Sequence, residues 1–432
     1  MNIYIETYGC SANQNNGEII AGLLERAGHI IVKDEKNSGI NILNSCIVKG
    51  PTLQKMISRV KELSKKKLIV SGCMPSVMSK QILKIAPKAS LVSVNHINEI
   101  VKTVNSLING EPLHLLLKSE TEPLCYPKNY KNKIIGITQI SEGCLGDCSY
   151  CIVKLVKGNL HSYDSEKIIK NIQNDIQSGC KEIWLTSQDC ASYGLDMPQK
   201  KIFLPELLKK ILSLKGKFLV RLGMSNPNHI IPILDELVEI YKDKKMFKFL
   251  HIPIQSGSNN VLRGMNRHYT ATDFKEIISA FRTEIPEITI STDIIAGFPT
   301  ESESDFEETI ELLSETKPDI INIARFWSMP GTKASALPEL KPNIVMKRTE
   351  KLMALHNQIA IEKNRQYVGQ ELKALVDEHK FSEIYVARDL FYNHIILRSK
   401  EKILGKSVDV KIIGADAHHL IGEIIKTSEI PD

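Results

Sequence analysis

Between residues 133 and 365, six short apolar segments alternate with amphipathic helical stretches, and this alternation constrains the fold more than any other feature. Strands are predicted at Ile135–Ile140, Glu182–Ser187, Phe218–Leu222, Phe247–Ile254, Ile288–Ala296 and Ile320–Trp327. The intervening helices have readable starts. One opens at Asp164, with Ile168, Ile169 and Ile172 facing inward. Another opens at Thr270, with Asp273 in the capping-box position. The acidic run from Glu301 to Glu308 sits where a helix dipole favours negative charge. Six βα units predict a TIM-like barrel that is incomplete, since the full form needs eight.

Two smaller regions flank it. Residues 1–110 also alternate, with strands expected at Asn2–Thr7, Ile40–Asn44, Leu68–Ser71 and Leu91–Val94, a pattern for a parallel sheet covered by helices. Residues 111–132, with Pro112, Pro123 and Pro127, read as a linker. After a long helix at about Asn343–Arg365, residues 366–427 show period-two runs punctuated by Gly405, Gly414 and Gly422, as a small β-barrel would. The fold class is therefore α/β with a third, all-β unit. No apolar run approaches the ~18–20 residues of a membrane helix, and the first residues lack a signal-peptide pattern, so a cytoplasmic protein is expected.

In that reducing setting the nine cysteines are expected to bind metal or do redox chemistry rather than form disulfides. Cys10, Cys46 and Cys73 each follow a predicted strand in a separate βα unit. The C-terminal ends of parallel strands share one edge, where ligand sites form. Three thiolates there leave a fourth position open, which suits either an iron–sulfur cluster with one reactive iron or a zinc with an exchangeable ligand. Cys144, Cys148 and Cys151 form a second set in the loop after the first barrel strand, C-L-G-D-C-S-Y-C, where Gly143 and Gly146 supply backbone freedom. Cys125, Cys180 and Cys190 match no ligand spacing and are expected to be dispensable for metal binding.

The C-x₃-C-x-aromatic-C pattern resembles the radical S-adenosylmethionine (SAM) superfamily. With the first cysteine set, the whole chain resembles the methylthiotransferases, which join a cluster domain, a radical SAM barrel and a TRAM β-barrel. The motifs that carry this are Gly9-Cys10-Ser11-Ala12-Asn13, Asn44-Ser45-Cys46-Ile47-Val48-Lys49 and Gly72-Cys73. In the barrel they are His251-Ile252-Pro253-Ile254-Gln255-Ser256-Gly257-Ser258, Met265-Asn266-Arg267, Asp293 to Glu301, and Pro330-Gly331-Thr332. Two positions depart: Ser45 stands where the family has Thr, a mild change, and His161 stands where it has Arg.

The resemblance implies an enzyme with two [4Fe–4S] clusters. Cys144, Cys148 and Cys151 would hold the one that binds and cleaves SAM. Cys10, Cys46 and Cys73 would hold the one that carries sulfur. Tyr150, Ser187, Gln188, Gln255, Ser256 and Asp293 lie at or near predicted strand ends, where they could bind SAM or simply satisfy local loops.

Residues 49–133 hold fifteen Lys or Arg against five acids, including Lys61, Lys65, Lys66 and Lys67, a field suited to a phosphate backbone. The TRAM-like tail is nearly neutral, so RNA affinity there would rest on shape and on aromatics such as Tyr385, Phe391 and Tyr392, unless these are core. Within the family the resemblance is to the branch that methylthiolates carbon 2 of N6-threonylcarbamoyladenosine beside the anticodon. That implies a tRNA anticodon stem-loop as partner, with an external electron donor and sulfur source. The alternatives are methylthiolation of a ribosomal-protein aspartate, and a non-catalytic iron–sulfur RNA-binding protein.

Overall fold

A computed structural model describes residues 1–47, 50–117 and 121–428, without the side chains of residues 50 and 51. Val48 and Lys49, which end the second cysteine motif, lie outside the described residues.

The first region is a six-stranded parallel sheet in the order Ile30–Val32, Asn2–Thr7, Ile40–Ser45, Lys67–Gly72, Ser90–Ser93, His114–Leu115. Two of these strands escape the periodicity. Ile30–Val32 is too short to show alternation, and His114–Leu115 lies in the proline-containing stretch read as linker, yet pairs with Leu91 and Val92. The core strand Ile40–Ser45 is buried at every residue, as a parallel strand covered on both faces should be.

The barrel strands are Ile135–Gln139, Glu182–Thr186, Leu219–Leu222, Phe249–His251, Thr289–Ala296 and Ile320–Arg325. They pair in parallel as two triplets, joined by a single bridge between Val220 and Met246. The first and last strands do not pair with each other among the described residues, so the barrel is open on one side. The helix Ser11–Arg26 of the first region packs against strand Ile135–Gln139 at that opening, and Gln139 donates to Asn16 Oδ1 at 2.6 Å. Asp164 caps its helix by accepting from the Glu166 and Lys167 amides, and Thr270–Asp273 and Ser302–Asp305 form capping boxes.

Helix Pro342–Arg365 leads to a closed five-stranded barrel of Glu371–Phe381, Ile384–Asp389, His394–Arg398, Leu420–Ser428 and Ser407–Ala415. Its loop after Asp389 plugs the base of the large barrel. Lys248 donates its amide to the Leu390 carbonyl at 2.8 Å, and the Tyr392 ring lies 4.9 Å from Phe247 and 4.8 Å from Phe249. Arg221 and Arg388 lie over the Tyr392 ring. Tyr392 is therefore buried, Tyr385 lies in the small barrel's own core, and neither is an RNA-stacking ring, while Phe391 is half-buried against the large core. Two of the clustered lysines are also committed locally: Lys66 donates to the Glu35, Lys36 and Ser38 carbonyls, and Lys67 to that of Ile108. No helix of the described residues is long and apolar enough to cross a membrane.

Glu18 sits in the interface at the barrel opening, buried, accepting from Gln14 and from the Lys131 amide. Burial pushes its carboxyl up to about 7, against an ordinary value of 4.5. The folded chain thus holds a proton there that the unfolded chain has released, and stability falls as pH rises from 4.5 through 7. Glu18→Gln is expected to flatten that fall and to stabilise the chain above pH 7 by on the order of 2 kcal/mol. Urea midpoints of both chains between pH 4.5 and 8 measure it.

Candidate functional site

Three adjacent strands, Asn2–Thr7, Ile40–Ser45 and Lys67–Gly72, deliver Cys10, Cys46 and Cys73 just past their C-terminal ends. Gly9 has φ +111°, and a Cβ there would stand 2.7 Å from Cys46 Cβ and 3.0 Å from its sulfur, so only glycine lets these two loops meet. Asn13 ties all three loops together. Its Nδ2 donates to the Tyr8 and Ser45 carbonyls at 2.8 Å each, while its Oδ1 lies 3.9 Å from Cys73 Sγ. Ser45 adds two links, donating to the Ser71 carbonyl at 2.6 Å and accepting from the Met74 amide at 3.3 Å. The serine that stands for the family's threonine thus keeps the hydroxyl that does the bonding.

Burial pushes the Cys73 thiol up to about 12, the neighbouring Cys46 and Cys10 push the same way, and Lys157 opposes them. Ionising such a thiol needs a compensating cation, and a bound metal supplies it. Buried polar atoms without partners sit at the same strand ends, at Asn44 Oδ1, Ser71 Oγ and Ser93 Oγ. Among the described residues no three His, Cys, Asp or Glu side chains close on a point that one metal ion would fill. Three thiols delivered to one sheet edge are a donor set that fits an iron–sulfur cluster.

The second set lies at the mouth of the large barrel. Gly143, with φ +76°, is forced by the close passage of Asn159, whose carbonyl oxygen would clash with a Cβ. Gly146 has no such backbone demand. A Cβ there would make only ordinary contacts, 3.4 Å from Cys144 Sγ and 3.7 Å from Cys148 Sγ, and the Gly146 amide donates to Cys144 Sγ at 3.3 Å. The loop is clamped on its far side, where the Ser149 amide donates to the Met265 carbonyl at 2.9 Å and Ala334 donates to the Ser149 carbonyl at 2.7 Å. Burial pushes Cys144 up to about 11 and Cys151 up to about 12, with the neighbouring thiols adding to both. This donor set also fits a cluster.

Arg267 is the residue that cysteine spacing could not reveal. Its Nη1 donates to Cys148 Sγ at 3.2 Å, its Nε to the Tyr269 hydroxyl at 2.7 Å, and its Nη2 to Asn226 Oδ1. Asn226 in turn donates to Asp189 Oδ2 at 2.7 Å, and His229 Nδ1 lies 2.6 Å from the same oxygen. Tyr269 donates to the Pro253 and Ile254 carbonyls, so the network also fixes the segment that leads into Gln255. The signal that could have found Arg267 was its place in the quoted Met265-Asn266-Arg267 motif.

The six candidate cofactor contacts divide by environment. Gln255 is a non-glycine residue at φ +72°, a strained backbone position held by bonds to Asp293 and Ile295. Asp293 Oδ2 pairs with His251 Nε2 at 3.0 Å. Gln188 has a buried Oε1 without a partner. Tyr150 packs beside Met265 and Phe298, and burial holds its hydroxyl well above the usual phenol range. Ser187 accepts the Asp189 amide at 2.9 Å. Ser256 is buried, with its hydroxyl against Thr309 and accepting from the Ser258 amide, which shapes the turn. His161 lies on the short strand His161–Ser162 opposite Glu142, with a buried Nε2 that has no partner.

Cys125, Cys180 and Cys190 join neither set; Cys180 and Cys190 belong to the barrel core. The two sets are linked, however. Cys73 and Met74 share a core with Ile152 and Val156, which follow Cys151 in the chain. Beside that contact Lys157 Nζ and Glu142 Oε1 form a buried ion pair at 3.0 Å.

Residues 2–93 match the Uncharacterized protein family UPF0004, and residues 138–313 match the Radical SAM superfamily. The chain is 40% identical over 428 residues to a probable threonylcarbamoyladenosine tRNA methylthiotransferase of Pyrococcus horikoshii, covering 98% of this chain and 99% of the relative. A protein of the same description from Pyrococcus abyssi is 39% identical with the same coverage. The solved radical S-adenosylmethionine methyltransferase TsrM of Kitasatospora setae, with cobalamin and a [4Fe-4S] cluster bound, shares the fold at a TM-score of 0.56 and 10% identity. That match covers 86% of this chain and 75% of TsrM. With such identity sustained over nearly all of both chains, this protein belongs to the threonylcarbamoyladenosine tRNA methylthiotransferase family, within the radical SAM superfamily.

Proposed function

We propose that the chain methylthiolates carbon 2 of N6-threonylcarbamoyladenosine at position 37 of tRNA. The observation that carries the reading is the pairing of two converging three-thiol sets, one at the edge of a parallel sheet and one at a barrel mouth, joined through a shared core and a buried ion pair. Cys144, Cys148 and Cys151 would hold the SAM-binding [4Fe–4S] cluster, and Cys10, Cys46 and Cys73 the second. Bound there, the clusters and SAM supply radical removal of hydrogen from an sp² carbon and delivery of the methylthio group.

The chain's own residues bind, orient and exclude water. Arg267 donates to Cys148 and fixes Asn226 and Tyr269, which holds the cysteine loop against the mouth. Gln188 offers an unpartnered buried acceptor to an amino or hydroxyl group of SAM. Asp293, oriented by His251, and the strained Gln255 stand at neighbouring strand ends for the same cofactor. Tyr150 lines the mouth as an apolar wall, Ser187 holds the turn that aims Gln188, and Ser256 acts through the shape of its own turn. A side-chain base cannot remove so weakly acidic a hydrogen, so no catalytic proton acceptor is required.

The reading puts the enzyme in the cytoplasm, where tRNA, an external electron donor and a sulfur source meet. The basic residues between 49 and 133 that are not tied to local carbonyls, Lys61 and Lys65 among them, would face the RNA phosphates.

Anaerobic incubation of the iron- and sulfide-reconstituted chain with SAM, reductant and unmodified-at-carbon-2 tRNA is expected to yield the methylthio nucleoside on mass analysis, with 5′-deoxyadenosine. Modified ribosomal protein with unchanged tRNA would move the substrate to the protein-modifying branch. Bound RNA without 5′-deoxyadenosine would make the chain a non-catalytic binder. Iron should reach about eight atoms per chain, and about four after Cys10, Cys46 and Cys73 are all replaced by Ala. Asn13→Ala, which unties the three loops while leaving every thiol in place, is expected to lose iron from the N-terminal set alone.

A further inference from the structure

Lys157 ends the short helix Val153–Lys157, which begins two residues after Cys151 in the barrel's cysteine loop. Its side chain nevertheless serves the other thiol set. The side chain is 4% exposed, and among the described residues its recorded acceptor is Glu142 Oε1 at 3.0 Å. Glu142 is itself 8% exposed and takes a second bond from Asn95 Nδ2 at 2.8 Å. Asn95 belongs to the N-terminal region, so this polar link spans the two units. A buried ion pair is a poor source of stability compared with an apolar packing of the same volume, and its presence here calls for another reason.

The position of the pair supplies one. Val156, the residue before Lys157, shares a buried core with Cys73 and Met74, which sets this end of the helix beside the N-terminal thiols, and the Lys157 ammonium acts to lower the Cys73 thiol against its burial. Against its burial, Glu142 first and then Cys73 and Cys10 keep the Lys157 ammonium protonated. Three thiolates give any group they hold a negative charge, and a buried cation on the side of the buried Cys46 and Cys73 weighs more there than one in water would. The ammonium also has donors beyond the one directed at Glu142.

We propose that Lys157 is a positioning residue for the N-terminal cluster: carried on the barrel's cysteine loop, its ammonium offsets the charge at Cys10, Cys46 and Cys73 and raises the reduction potential of the group they hold. Glu142 and Asn95 aim it. The inference rests on the two-cluster reading above and adds an electrostatic coupling between the sets. The potential of a protein-bound cluster follows net charge and the bonding around its sulfurs, which is where Lys157 acts.

The test uses the full chain with Cys144, Cys148 and Cys151 replaced by Ala, reconstituted with iron and sulfide, so that only the N-terminal set loads. A reductive titration followed by electron paramagnetic resonance compares Lys157 with Lys157→Met and Lys157→Arg. The Met variant is expected to disfavour reduction about tenfold, which is 59 mV downward for one electron. The Arg variant should stay near the parent. Glu142→Gln, which keeps the ammonium and removes the opposing charge, should shift the potential upward, and it carries the test if the Met variant fails to load iron. An unmoved potential in an iron-loaded Met variant, or in the Gln variant where Met does not load, overturns the role of Lys157 alone. Failure of the parent to bind iron at the N-terminal set overturns the two-cluster reading and this inference with it.

Discussion

The two sites depend on thiols drawn largely away from water, with Cys10 the exposed one of the six. Cys73 and Cys151 are pushed to about 12 by burial, and each stands beside two further cysteines that push it higher. In the iron-free chain they stay protonated at neutral pH, and a metal centre is what converts them to ligands. Burial alone would make these cysteines inert core residues, as it does for Cys180 and Cys190. What separates the two groups is convergence. Parallel strands bring three chain-distant cysteines to one edge, and a glycine-containing loop brings three chain-adjacent ones to another.

Each set then needs something to fix its loops, and the two solutions differ. At the N-terminal set one side chain does most of it, since Asn13 reaches the Tyr8, Ser45 and Cys73 segments at once. At the barrel mouth the job is spread over a chain of polar contacts from Asp189 through Asn226 to Arg267 and Cys148. The asymmetry follows from topology. Neighbouring parallel strands already align the first three loops within a few ångströms, so one amide suffices. The second loop hangs off a single strand and must be clamped from across the mouth by residues that follow later strands.

The same distinction decides how much was legible in the sequence. The six barrel strands, the helix starts at Asp164 and Thr270 and the strand-end positions of Cys10, Cys46 and Cys73 depend on local pattern, and the structure contains all of them. Arg267 on Cys148, and the shared core that brings the Ile152–Lys157 segment to Cys73, join stretches far apart in the chain, and nothing in periodicity encodes them. The strand His114–Leu115 was hidden because two residues next to a proline carry no alternation; it forms because Leu91 and Val92 leave an edge to pair with. Tyr385 and Tyr392 were ambiguous for a different reason: an aromatic on a short β-strand or turn looks alike whether it faces solvent or a second domain. Tyr385 is buried in the small barrel's own core, and the docking of that barrel under the large one buries Tyr392 against Phe247 and Phe249.

That docking bears on how an open barrel can host radical chemistry. Six strands leave one side unsealed, and the apolar interior of the sheet would otherwise meet water there. The helix Ser11–Arg26 packs over the open side and the loop from Asp389 to His394 packs under the base, while both thiol sets stand at the strands' C-terminal ends. The helix that seals the barrel begins at the residue after Cys10 and carries Asn13, the side chain that gathers the N-terminal set. Sealing the reaction chamber and registering one thiol set against the other are therefore a single packing event. Any shift of that helix would both admit water and move the N-terminal set away from the mouth.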